Sequence, residues 1–141
     1  MEEGSNNFIL DCSMTMAWCF DGEATPYTDG IRDRLGEAKA FVPALWPFEV
    51  ANVILIGERR NRLDRARSLR FINLLSRLPI VIDELLTGRV FADVVALARD
   101  HRLSGYDAAY LELALRRSLP LATLHQKLAA AARAVGVVCP A

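Results

Sequence analysis

The chain has 141 residues, of which 52% are hydrophobic and 24% charged, and its 17 basic and 17 acidic side chains balance to a formal net charge of zero. This composition predicts a single globular domain over residues 1–141 with a substantial core, and it excludes a disordered or low-complexity chain. Because the charges balance, net charge argues neither for nor against a nucleic-acid partner.

The cysteines and the hydropathy pattern bear on the compartment. Cys12, Cys19 and Cys139 lie in apolar segments and lack the close pairing of a zinc site, which is typical of small buried residues in a reducing environment. No apolar run approaches the roughly 18 residues of a membrane span, and residues 1–7 lack the basic and apolar regions of a signal peptide. We therefore expect a soluble, cytoplasmic protein with no membrane partner.

The first half of the chain predicts two strands and three helices. In order, they are strand Phe8–Leu10, helix 13–20, helix 25–38, strand Phe41–Val42 and helix Trp46–Ile56. Asp11 directly follows the first strand, and Pro43 stops the second. The last of these segments is apolar on nearly all sides, which predicts a central, buried helix with Pro47 in its first turn.

The second half continues the same alternation. It predicts, in order, helix Asp64–Leu78, strand Pro79–Asp83, helix Gly88–Arg102, helix 103–115, strand Leu121–Leu124 and helix Gln126–Ala134. Gly136 is placed to end the last helix, and Val137–Cys139 fits an edge strand. Short apolar strands that alternate with longer helices predict a three-layer α/β/α domain with a short, mainly parallel central sheet.

Four polar side chains from distant parts of the chain meet at one edge of this predicted sheet. Asp11 and His125 follow strands, whereas Glu49 and Asp107 lie in the first turns of helices. Ligands of such sheets collect beyond the carboxyl ends of the strands. Clustered carboxylates repel one another unless a cation lies among them, and oxygen ligands favour Mg²⁺ or Mn²⁺. The pattern therefore predicts metal-dependent hydrolysis of a phosphodiester.

Each of these residues also fits a purely structural role. Asp11 is placed to cap the helix that follows it, and Asp107 completes a capping box with Ser104. The helix dipole alone favours Glu49 in a first turn, and a hydrogen-bonded capping histidine explains His125. No capping argument, however, requires three acids to lie beside apolar core segments, and this favours a shared site.

We expect several other polar and aromatic residues to occupy ordinary surface or core positions. Glu112 is typical of a solvated helix face, Asp83 of a turn, and Tyr106 and Tyr110 of the core. The arginines of residues 59–70 form a basic stripe. A solvated surface explains the stripe most simply, and a track for RNA phosphates is the alternative.

Four segments in this order and spacing resemble a PIN domain, specifically the VapC-type toxins of bacterial toxin–antitoxin pairs. They are residues 8–13, 42–52, 103–114 and 119–124, and the resemblance extends from about Phe8 to Cys139. It implies a PIN-like α/β/α fold and a Mg²⁺- or Mn²⁺-dependent endoribonuclease that cuts RNA. It also implies inhibition by a cognate antitoxin protein and pairing as a homodimer.

The resemblance also implies roles for individual residues. The acidic metal site carries over to Asp11, Glu49 and Asp107, and supporting polar positions carry over to Ser13 and Thr123.

Position 125 departs from the family pattern, which usually has another acid after the strand. His125 places an imidazole there, which is a poorer ligand for Mg²⁺ and a better one for Mn²⁺, Zn²⁺ or Ni²⁺. A protonated His125 would repel a cation and make activity depend on pH near neutrality. The sequence is compatible with an active enzyme of altered metal preference, a weakened enzyme, or an inactive binding module.

A phosphatase-like hydrolase with Asp11 as its nucleophile is a further alternative. It is disfavoured because position 13 is Ser13 rather than a second acid, and because the chain offers no obvious lysine partner.

Overall fold

A computed structural model describes residues 6–140. The strands are β1 (Phe8–Leu10), β2 (Ala40–Pro43), β3 (Ile80–Asp83) and β4 (Leu121–Ala122). The helices are α1 (Cys12–Ala17), α2 (Pro26–Asp33), α3 (Trp46–Arg59), α4 (Arg65–Arg77), α5 (Thr87–Arg89), α6 (Val95–His101), α7 (Gly105–Arg117) and α8 (Gln126–Ala134).

The strands form one parallel sheet in the order β3-β2-β1-β4, flanked by helices, which confirms the predicted three-layer fold. All three residues of β1 are fully buried, as expected for a central strand of a parallel sheet that is covered on both faces. Ile9 pairs with Leu121 of β4, and the amide of Asp11 donates to the carbonyl oxygen of Ala122 at 3.2 Å. The carboxyl ends of β1 and β4 therefore lie side by side.

Several helix boundaries follow directly from local sequence signals. Asp64 caps α4 by accepting a hydrogen bond from the Arg67 amide at 2.8 Å, as predicted. Ser104 caps α7, and Gly136 follows α8 with a φ of +83°, the left-handed conformation that glycine adopts without strain.

Several segments differ from their predictions. The helix predicted over 13–20 ends at Ala17, and the strand predicted over 121–124 ends at Ala122. The helix predicted over 25–38 ends as α2 at Asp33 and continues only as a 3₁₀ turn, Arg34–Gly36. The helix predicted over 88–102 contains a π-helical turn, Val90–Val94, between α5 and α6. The edge strand predicted at Val137–Cys139 is wrong, since the Leu121 amide bonds to the Val138 carbonyl oxygen at 2.8 Å but no ladder forms.

Helix α3 is not the central helix that its apolar sequence predicts. It packs along one stripe, on which Trp46, Val50 and Ile54 are buried. The opposite side leaves Phe48 79% and Leu55 47% exposed. An all-round apolar pattern thus marks a surface helix with an apolar outer face, which is typical of a surface that contacts a partner.

Asp83 and Glu112 are buried, so the predictions of a turn residue and a solvated helix position are wrong. Both carboxylates pair with Arg116, at 2.7 Å each, and Arg117 also pairs with Asp83 at 2.7 Å. The Arg117 guanidinium additionally lies 4.1 Å from the centre of the Phe41 ring. This charged cluster fixes α7 to β2 and to the end of β3.

The basic stripe is largely a solvated surface, as its simpler interpretation predicts. Arg59, Arg60 and Arg65 are exposed, Arg62 pairs with Glu23 at 2.9 Å, and Arg67 is paired with another exposed acid. The cysteines are unpaired, and Cys19 is buried. Over residues 6–140, no helix combines the length and apolarity that crossing a membrane requires.

Candidate active site

Asp11 lies directly after β1 and is 4% exposed. Its Oδ1 accepts hydrogen bonds from the Met14 amide at 2.9 Å and from the Ser13 hydroxyl at 2.8 Å. Its Oδ2 accepts a hydrogen bond from the Thr123 hydroxyl. The capping role proposed for Asp11 is therefore present, but the same carboxylate also faces the end of β4.

Ser13 and Thr123 connect Asp11 to the segment that follows β4. The Leu124 amide donates to the Ser13 hydroxyl oxygen at 2.9 Å, and the His125 amide donates to the Thr123 hydroxyl oxygen at 2.9 Å. Each hydroxyl thus accepts from one backbone segment and donates to the carboxylate. Such a bond network holds a carboxylate in one orientation.

Asp107 lies in the first turn of α7, where its backbone amide donates to the capping Ser104 hydroxyl oxygen at 3.0 Å. The carboxylate does not complete the predicted capping box. Its Oδ2 lies 2.6 Å from His125 Nδ1, a contact in which the histidine side chain is 49% exposed. His125 precedes α8 at the capping position, but its side chain makes no capping hydrogen bond there.

Glu49 lies in the first turn of α3 and is half-buried. Its Oε1 accepts a hydrogen bond from the Tyr110 hydroxyl at 2.6 Å. Tyr110 is 1% exposed, which confirms its prediction as a core residue. Its contact with Glu49 was not predicted, although its spacing of three residues from Asp107 places both on one face of α7.

A second buried contact fixes the start of α3 against α1. Trp46 Nε1 donates to the Thr15 hydroxyl oxygen at 3.0 Å, and the Thr15 hydroxyl donates to the Asp11 carbonyl oxygen at 2.8 Å. Trp46 lies one helical turn before Glu49. The backbone positions of Glu49 and Asp11 are consequently tied together through the core.

Asp11 and Glu49 both have raised pKa values, and burial is the main cause for each. Burial raises the pKa of Asp11 most, and the charge of Asp107 adds to it, while hydrogen bonds from Thr123, Met14 and Ser13 oppose the rise. Burial also raises the pKa of Glu49, with further contributions from Asp11 and Asp107 and opposition from the Tyr110 hydrogen bond.

Within residues 6–140, no lysine or arginine forms a salt bridge with Asp11, Glu49 or Asp107. The site therefore concentrates negative charge that a cation would compensate.

The donor chemistry of this site fits a hard divalent cation, because its carboxylate and hydroxyl groups are all oxygen ligands. In the described part of the chain, however, no three His, Cys, Asp or Glu side chains are grouped as a metal site. Each carboxylate instead contacts different protein groups: Asp11 accepts hydrogen bonds from Ser13, Met14 and Thr123, Glu49 accepts one from Tyr110, and Asp107 contacts His125. Joint binding of a cation by Asp11, Glu49 and Asp107, and any part of His125 in it, stays a prediction.

Tyr106 precedes Asp107 and is 66% exposed, so its prediction as a core residue is wrong. Its side chain borders an apolar cavity of about 690 Å³. The cavity lies between α7 and the helical segment 87–101, and Phe91, 71% exposed, borders it too. Asp11, Glu49 and Asp107 do not line this cavity.

Comparisons with known proteins agree with this architecture. The family model for the PIN domain matches residues 8–134. Among solved structures, the crystal structure of PAE2754 from Pyrobaculum aerophilum superposes with a TM-score of 0.65 at 20% identity, over 92% of this chain and 87% of that one. At that identity the likeness shows the fold alone. No curated protein matches the chain.

Proposed function

Because the chain belongs to the PIN domain family, whose members are typically nucleases, we propose that it is a metal-dependent endoribonuclease of the VapC toxin type. The observation that carries the proposal is electrostatic: Asp107 acts on the buried Asp11 that follows β1, and both act on Glu49 in the first turn of α3. The negative charge of Asp107 helps to raise the pKa of Asp11 and of Glu49, and none of the three acids forms a salt bridge with lysine or arginine within residues 6–140. Such a site suits a cation and a phosphodiester substrate.

In this proposal Asp11, Glu49 and Asp107 hold Mg²⁺ or Mn²⁺. The ion, when bound, supplies activated water and compensates the charge that develops on the phosphodiester. Ser13 and Thr123 keep the buried Asp11 carboxylate oriented through the hydrogen bonds described above.

His125 motivates a second candidate function, a PIN-like binding module that engages its partners without cutting RNA. Its Nδ1 lies 2.6 Å from Asp107 Oδ2, so it engages one of the carboxylates that the first proposal assigns to the cation. For the protein to cleave RNA, the ion would have to displace His125 from Asp107 or bind the other oxygen of the Asp107 carboxylate.

The proposed protein partners are a cognate antitoxin and a second copy of the chain. Exposed apolar side chains support them, with Phe48 and Leu55 on α3 and Phe91 beside the cavity. Light scattering of the purified protein tests the homodimer. A monomer at every accessible concentration would contradict that part of the proposal.

The test of the enzymatic proposal is an RNA cleavage assay with Mg²⁺ or Mn²⁺. We expect the parent to cleave and Asp11→Asn to fall to background, because the substitution removes a buried metal-binding charge. Asp93→Asn is the matched control, since Asp93 carries a half-exposed carboxylate that pairs with Arg89. Equal cleavage by the parent and Asp11→Asn would refute the proposal.

The variant His125→Asp distinguishes the two candidate functions. Comparable cleavage by the parent and by this variant would argue against the binding module. An inert parent together with an active variant would show that His125 disables the site and would favour the binding module.

A further inference from the structure

We propose that Tyr110 is a positioning residue, whose hydroxyl holds the Glu49 carboxylate in the orientation that binds the cation. This inference rests on the function proposed above, and it assigns a role to a residue outside the acidic set. Its basis is the 2.6 Å hydrogen bond from the Tyr110 hydroxyl to Glu49 Oε1, which joins residues 61 positions apart.

The surroundings of Tyr110 separate its packing role from its hydrogen bond. Its ring is 1% exposed within the core cluster that also contains Ala108, Leu111 and Ala114 of α7. A phenylalanine ring would fill the same space. The hydroxyl adds nothing to that packing, and a buried hydroxyl is unfavourable unless it finds a partner. Here the partner is Glu49.

The bond also fixes which oxygen of Glu49 remains for an ion. Tyr110 engages Oε1, and no other side chain of residues 6–140 forms a hydrogen bond with this carboxylate. Oε2 is therefore the oxygen left for a ligand. A glutamate side chain loses considerable rotamer entropy when it is ordered, and Tyr110 provides that order before the ion arrives.

The placement of Tyr110 couples two of the proposed ligands. Asp107 and Tyr110 lie three residues apart on α7, so one helix supplies an acid and also the donor that holds the acid of α3. The Trp46–Thr15 hydrogen bond independently fixes the start of α3. Loss of the Tyr110 hydroxyl therefore releases the Glu49 side chain without moving its helix.

The experiment is a titration of the full chain with Mn²⁺ alone. Binding is measured by calorimetry or by the spin-resonance signal of free Mn²⁺. Partners that orient a ligating carboxylate typically change metal affinity by about 10–100-fold, and we expect Tyr110→Phe to weaken Mn²⁺ binding in that range. Tyr27→Phe is the matched control, because the Tyr27 hydroxyl donates to the Pro140 carbonyl oxygen instead. It should bind Mn²⁺ as the parent does.

Two further measurements separate positioning from general damage. Adding Tyr110→Phe to Glu49→Gln should cause no additional loss of Mn²⁺ affinity, because the group that Tyr110 positions is already removed. Saturating Mn²⁺ should restore RNA cleavage by Tyr110→Phe towards the parental rate.

The outcomes distinguish this inference from the function on which it rests. Parental Mn²⁺ affinity in Tyr110→Phe would overturn the inference alone, and so would loss of the folded state by circular dichroism. A parent that neither binds Mn²⁺ nor cleaves RNA would overturn the proposed function together with the inference.

Discussion

Replacement of Arg116 by methionine should destabilise the protein strongly, although the Arg116 side chain is partly exposed. Arg116 contacts Asp83 and Glu112 at 2.7 Å each, and the side chains of those acids are only 5% and 6% exposed. Methionine retains much of the aliphatic stem and removes the charge. Asp83 keeps Arg117 as a partner, but Glu112 is left without its cation.

The magnitude follows from the burial of the three groups. Removing one member of a buried ion pair costs about 3–5 kcal/mol, because the remaining charge stays desolvated, whereas exposed pairs contribute about 0–1 kcal/mol. The Arg116 side chain is 27% exposed, so we expect a loss of about 2–4 kcal/mol in the free energy of unfolding. For a domain of this size the corresponding fall in Tm is about 6–15 °C.

Chemical denaturation and thermal melting measure this loss. Arg89→Met is the matched control, since Arg89 also pairs with an acid four residues away, Asp93, but both side chains are about half exposed. It should change the free energy of unfolding by less than about 0.5 kcal/mol. Adding Glu112→Gln to Arg116→Met should recover part of the loss. Equal effects of Arg116→Met and Arg89→Met would refute the reasoning.

Two predictions concern the acidic site and its dependence on pH. In the presence of a chelator, Asp11→Asn should be at least as stable as the parent at neutral pH, and millimolar Mn²⁺ should raise the Tm of the parent but not of the variant. Burial raises the pKa of Asp11 and of Glu49, so their ionisation opposes folding, and lowering the pH from neutral should increase stability. Burial also tends to raise the pKa of Asp83, but Arg116 and Arg117 more than offset this effect, so the pKa of Asp83 is lowered. The ionised Asp83 therefore stabilises the fold, and this contribution is lost as the pH falls below about 4. Denaturation at a series of pH values checks both signs, and stability that falls steadily from pH 7 to pH 4 would contradict the first.

The strands and the capped helices could be predicted because their signals are local. An apolar run followed at once by Asp11 indicates both the end of β1 and the cap of α1, and Asp64 marks the start of α4. The alternation of strands and helices was sufficient to predict the parallel sheet. The π-helical turn at Val90–Val94 has no such signal, since its residues are ordinary for an α-helix.

Long-range pairing explains the predictions that failed. Asp83 carries no sequence mark of burial, because Arg116 and Arg117, which neutralise it, become its neighbours only in the folded chain. Glu112 and Arg116 are four residues apart on α7, a spacing that is equally typical of an exposed helix pair. Apolar residues on α3 similarly gave no indication of which side is covered, and Phe48 is left exposed. An unusually apolar surface helix and a buried helix have the same composition.

The candidate site was predictable as a set of acids and not as a set of contacts. Asp11, Glu49 and Asp107 stand out because each lies at the start of a helix beside apolar segments. The hydrogen bond from Tyr110 and the contact between His125 and Asp107 depend on side-chain positions that spacing alone does not give.

We propose above all that Asp11, Glu49 and Asp107 hold one divalent cation. The most direct test of this proposal is a crystal structure of the protein grown with Mn²⁺, with anomalous diffraction recorded to locate the ion. We predict an anomalous peak bound by oxygens of all three carboxylates. A peak that lies elsewhere, or the absence of any peak beside Asp11 at saturating Mn²⁺, would contradict the account.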